Sequence, residues 1–136
     1  MKKTVRILTA VLLILCLTGC GITFAPTSGY ISSYRATLLI RSETSRSAHM
    51  DFSSLDGRMV FHLTSGGSEM ISGSASLKSG NATVFYDADG TKTEWFTVSE
   101  GEEISVSGGP FERGTVYIII ETSGKCKGGS FRFDVR

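Results

Sequence analysis

Apolar side chains recur at every second position through most of this chain, the spacing of a strand with one face in a core and the other in water. Ala48, Met50 and Phe52 alternate with His49 and Asp51; Met59, Phe61 and Leu63 alternate with Arg58 and His62. Val116, Ile118 and Ile120 enclose Tyr117 and Ile119, and Phe131, Phe133 and Val135 face away from Arg132, Asp134 and Arg136. Shorter candidates run from Thr37 to Arg41, Glu69 to Leu77, Ala82 to Tyr86, Thr93 to Val98 and Glu103 to Val106. Beyond the first twenty residues no helical period of useful length occurs.

Glycine-bearing turns separate these segments: Leu55-Asp56-Gly57, Ser65-Gly66-Gly67-Ser68, Ser79-Gly80-Asn81, Asp89-Gly90, Glu100-Gly101, Gly108-Gly109-Pro110 and Gly124-Lys125. Each supplies a positive φ at little steric cost. Asp-Gly between alternating segments is a strong hairpin signal, so 82–86 and 93–98 are predicted antiparallel partners. Eight or nine short strands at this spacing predict an all-β fold, an antiparallel β-sandwich in preference to a small barrel, formed by one domain over residues 34–136. The run Ile118-Ile119-Ile120, apolar on both faces, predicts a central strand covered on its second side by a loop.

The first twenty residues differ in kind. Lys2, Lys3 and Arg6 precede an apolar run from Ile7 to Leu17, and the run ends in Leu17-Thr18-Gly19-Cys20. That order is the order of an export signal, and the run is well short of the roughly 20 residues that cross a bilayer as helix. The tetrapeptide resembles the lipobox of bacterial lipoproteins. The resemblance covers the first twenty residues and implies a helical signal peptide over 1–19, diacylglycerol (with palmitate-like chains) on the Cys20 sulfur, and cleavage between Gly19 and Cys20. Residues 20–33 then read as the lipidated cysteine and a tether; a first edge strand through Ile22, Thr23 and Phe24 is the other reading. The expected location is extracytoplasmic, lipid-anchored in the cell membrane or outer membrane.

Cleavage would change the composition that matters. Three of the 14 Lys and Arg lie in the leader, leaving 11 against 13 Asp and Glu, so the mature chain is slightly acidic. No clustered positive charge suggests nucleic acid. Cys16 would leave with the leader and Cys20 be taken by lipid, so Cys126 stands alone and no intramolecular disulfide is possible. Stability must come from packing, which 117 remaining residues can supply.

Catalytic chemistry is not legible. No serine lies in G-x-S-x-G, and Ser65-Gly66-Gly67-Ser68 reads as a turn. His49 and His62 are the two histidines; they read as surface residues, with a His pair plus Asp51 as the sharper alternative. Asp87-Ala88-Asp89-Gly90-Thr91 is reminiscent of a calcium loop, but the twelve-residue spacing places Phe85 and Phe96 at ligand positions, so it reads as a hairpin turn. Glu100, Glu102 and Glu103 make a second acidic turn, and the two turns share an ion only if the fold joins them. Cys126, between Lys125 and Lys127, has neighbours that favour thiolate. No metal or cofactor is predicted.

Trp95, with Tyr86 across the hairpin, is the candidate ligand-binding pair. Strict alternation sets Trp95 and Thr97 on one face and Phe96 and Val98 on the other, one set being outside; an outward Trp95 can stack on a sugar or anchor a protein, and an inward one is core. The predicted function is a membrane-anchored, non-catalytic envelope module binding an unknown protein or glycan. The alternative is an inhibitor that blocks a hydrolytic enzyme with a loop such as 100–103 or Gly108-Gly109-Pro110-Phe111; a hydrolase is disfavoured for want of a nucleophile and base.

Overall fold

The computed structural model describes residues 30–136, so the expectations for the signal peptide, Gly19, Cys20 and most of the tether fall outside the described residues. Within them nine strands and no helix occur: β1 Ser33–Thr37, β2 Ile40–Glu43, β3 Ser47–Ser65, β4 Glu69–Ser79, β5 Ala82–Asp87, β6 Thr93–Val98, β7 Glu103–Phe111, β8 Gly114–Thr122 and β9 Cys126–Val135. All pairings are antiparallel. The all-β antiparallel architecture is as the alternation predicts. The strands form one curled, nearly closed sheet, ordered β6-β5-β8-β3-β9-β4-β7, with β1 and β2 also on β3.

The 19-residue β3 does the curling. Its first half pairs with β9 from Ser47 to Leu55, and its second half pairs with β8 from Arg58 to Ser65. The Thr64 amide donates to the Ser45 carbonyl at 2.7 Å, whereas a straight strand of that length would part them by roughly 60 Å. The strand therefore turns back on itself, and Gly57 sits at the changeover with φ +129°. A Cβ there would run into the Ser33 carbonyl of β1. Only glycine meets both demands.

This corrects several local expectations. Segments 48–52 and 59–63 are one bent strand, because the Leu55-Asp56-Gly57 signal makes a bend and not a reversal. The segment from Thr37 to Arg41 is broken at Leu38, whose φ is +49°. Gly108-Gly109-Pro110 is no turn either; it lies inside β7, where the pairing with β4 slips between Glu69 and Ile71.

The inward side chains form one core from Ala48, Met50, Met59, Phe61, Leu63, Val84, Ile118, Phe131 and Phe133 with their neighbours. Val60 and Ile119 are buried on the opposite, outer face, directly across from each other on β3 and β8. The expected cover over this second face is the N-terminal stretch. Ser32 Oγ accepts from the Val60 amide at 2.9 Å, the Tyr30 ring meets Tyr117 edge-on at 5.4 Å, and the Tyr30 hydroxyl donates to Asp87 Oδ2. Tyr30, Ser32 and Ser33 are thus tied to the barrel.

Candidate functional site

The sheet does not close. Its path ends on β6 and β7, which lie side by side without a ladder between them among the described residues. They are joined at one end by the short Ser99–Glu102 connection, so the seam is narrow there and opens toward the other pole. At that open end lies a cleft of about 330 Å³, lined by Tyr86, Asp89, Thr93, Pro110, Phe111 and Glu112, with Ala88 and Gly109 between them. Aromatic and proline surface meets two exposed carboxylates in one concavity, the mix expected of a binding pocket.

Trp95 seals the seam from within. Val84 pairs with Phe96 and the next residue, Phe85, pairs with Glu94, so Trp95 is the extra residue of a β-bulge. Two consecutive side chains then turn the same way. Trp95 and Phe96 both face inward, their rings 5.4 Å apart, while Thr97 stays exposed. The expectation that Trp95 and Phe96 occupy opposite faces fails at this bulge, which period two cannot reveal. The indole spans from β6 to Gly73 on β4 and Gly108 on β7, and packs on Phe133 at 5.9 Å.

Tyr86 connects this plug to the cleft. It meets Trp95 edge-on at 6.1 Å and Phe111 at 5.4 Å, and it remains half-buried at the cleft wall. The two sequence candidates are therefore together, with Tyr86 in the cleft and Trp95 one ring deeper. Sequence does not mark Phe111, Pro110, Asp89 and Glu112 as partners of Tyr86, because nothing local says that the end of β7 meets the β5–β6 turn.

That turn is held by Asp87, whose Oδ1 accepts from the Gly90 amide at 2.7 Å while Oδ2 accepts from Tyr30. The carboxylate thus closes the predicted hairpin turn and also braces it against the N-terminal stretch. Glu100, Glu102 and Glu103 lie at the far end of β6, so the two acidic turns are apart and share no ion. Two cations near the open end of the seam are engaged elsewhere. Lys92 pairs with Glu121 at 2.7 Å and lies over the Phe85 ring, and Arg113 donates to the Gly66 carbonyl. Burial pushes the Glu121 carboxyl up, but Lys92 and Arg58 outweigh it and hold it below the ordinary range.

The remaining candidates fall elsewhere. His49 pairs with Asp51 at 2.7 Å, and hydrogen bonds from Ser130 and then His49 hold that carboxyl low. His62 faces Glu43 and Tyr117 instead. No cluster of three metal-ligating side chains occurs among the described residues. Cys126 is the first residue of β9, fully buried, and donates to the Asn81 carbonyl at 3.2 Å. Burial pushes its thiol up, which reverses the thiolate expectation drawn from its lysine neighbours.

No protein-family profile and no curated protein matches this sequence. Among solved structures it is similar to PliG of Aeromonas hydrophila, a periplasmic inhibitor of g-type lysozyme, with TM-score 0.48 and 13% identity over 68% of this chain and 88% of that one. It is also similar to TmCBM61 in complex with β-1,4-galactotriose (TM-score 0.42, 14% identity, 72% and 69%). A third is protein NMB1881 from Neisseria meningitidis (TM-score 0.36, 16% identity, 75% and 87%).

Proposed function

We propose that this chain is a lipid-anchored, non-catalytic binding module of the bacterial envelope, which engages its partner at the open end of the β6–β7 seam. One observation carries the binding half of this reading: the cleft walled by Tyr86, Pro110 and Phe111 and rimmed by Asp89 and Glu112. Its lining offers stacking surface and hydrogen-bond acceptors. The anchoring half rests on the lipobox-like Leu17-Thr18-Gly19-Cys20. The nine residues between Cys20 and Tyr30 let the two ends stand at most about 35 Å apart. The cleft lies at the same pole as Tyr30, so the partner is met close to the membrane.

Two measurements test this. Cys20→Ser should abolish fatty-acid labelling, and label that persists refutes the anchor. The sole tryptophan reports on the cleft through Tyr86, so a true partner recovered by the immobilised protein should shift Trp95 emission. Tyr86→Ala should weaken that partner at least tenfold. Recovered binding that ignores Tyr86, Asp89→Asn and Glu112→Gln together places the site elsewhere.

A further inference from the structure

The cleft is the mouth of the seam, and the seam is bounded by two strand edges that differ in how they are guarded. Edge strands invite pairing by another chain unless lysine, proline, a bulge or bulk discourages it. β6 carries such a device in the Trp95 bulge, with Lys92 just ahead of its first residue. β7 does not. From Glu103 to Gly108 it keeps regular register with β4, six residues without a lysine or proline, and the slip and Pro110 come only afterwards. Its outward side chains are Glu103, Ser105 and Ser107, and its half-buried ones are Ile104 and Val106 at the rim of the core. Among the described residues β7 pairs with β4 alone, which leaves its other row of amides and carbonyls facing the seam.

Charge says what kind of strand belongs there. Asp89, Glu94 and Glu112 surround the open end, and Glu100, Glu102 and Glu103 lie at the closed end, all of them exposed. None is ion-paired among the described residues. Lys78 stands beside the 101–103 turn, whereas Lys92 and Arg113 are held by Glu121 and Gly66. A second copy of this chain would bring the same carboxylates against one another.

We propose that the β7 edge accepts an extended, basic segment of a partner polypeptide as an additional antiparallel strand. This rests on the seam being the binding site. Main-chain bonds to the seam-facing groups of Ser105–Gly108, away from the joined end, give the affinity, as in other strand additions. Alternate apolar side chains of the guest rest on Ile104 and Val106, and the intervening lysines or arginines face the carboxylates. Ser105 and Ser107 leave room on the outer side.

The test titrates the intact protein, in neutral detergent, with an end-blocked octapeptide alternating lysine and valine. Trp95, which packs on Gly108 of β7, should change emission saturably, and the seam-facing amides of β7 should exchange at least tenfold more slowly. Ser105→Lys and Ser107→Lys, both at exposed positions, should weaken binding at least tenfold with an unchanged circular dichroism spectrum. Equal binding of the same peptide N-methylated at alternate residues overturns the strand pairing, and equal binding of a glutamate–valine counterpart overturns the charge argument. β7 amides already protected without peptide overturn it as well, with sedimentation velocity telling a dimer from cover by the protein's own residues 20–29. An N-acetylglucosamine tetramer separates the two readings. If it alone moves Trp95 emission, the strand proposal fails and the cleft stands; if neither ligand does, the strand proposal fails, and the cleft is judged by the recovered partner's response to Tyr86→Ala.

Discussion

The Trp95 indole occupies the space that a side chain at residue 108 would need: a Cβ built on Gly108 stands 3.0 Å from Cζ2 and 3.1 Å from Cε2. A bulge on one edge strand and a glycine on the other are thus two halves of one fit. Gly108→Ala should displace the ring and cost about 2 kcal/mol through overpacking, lowering Tm by roughly 10 °C. Trp95 emission should shift with it. A thermal melt superimposable on the parent's would show that the ring is not wedged there.

Tyr30 and Asp87 supply a pH signature. The hydrogen bond to the Asp87 carboxylate, followed by burial, pushes the Tyr30 hydroxyl up to about 12. The folded state then holds a proton that an unfolded tyrosine gives up near 10, so this contribution is full below pH 10 and fades as pH rises through 12. Tyr30→Phe should remove that slope in alkaline unfolding and cost about 1 kcal/mol at neutral pH. An unchanged slope would mean that the bond is absent in solution.

Arg46 and Glu69 act at the acid end. Two bonds from the Arg46 guanidinium, then one from the Gly66 amide, draw the Glu69 carboxyl down to about 2. Its stabilising contribution is present above about 4.5 and is lost as pH falls toward 2. Carboxyl-carbon NMR should find Glu69 titrating well below the other glutamates, and Arg46→Gln should return it toward the ordinary value. Because the pair is exposed, high salt should reduce the shift.

Cys126 should be chemically quiet. Its sulfur is buried, its thiol is pushed up by that burial, and it donates to Asn81. Peptide mapping after alkylation at pH 8 should find Cys126 modified at least a hundredfold more slowly in the native protein than in denaturant. Equal rates would place the thiol at the surface.

Much of the fold was legible because strand periodicity is local. Phe131, Phe133 and Val135 alternate as predicted, and the Asp89-Gly90 turn joins β5 to β6 in the predicted hairpin. The errors have physical causes. From sequence Gly57 signals a reversal, because a bend and a turn use the same positive φ, and only β1 lying against it tells them apart. The lysines beside Cys126 in the chain point to a thiolate, whereas burial at the start of β9 decides its chemistry.

The candidate site divides along the same line. Alternation, glycine spacing and the absence of catalytic motifs determined an all-β domain without legible catalytic chemistry, because each depends on neighbours in the chain. Where the sheet ends was decided by the tertiary structure. The bend in β3 brings β6 and β7 to opposite sides of one seam, the bulge turns Trp95 inward, and the β5–β6 turn meets Pro110 and Phe111. Contacts between strands remote in sequence leave no period to read, so the seam and its cleft exist only once the sheet has curled.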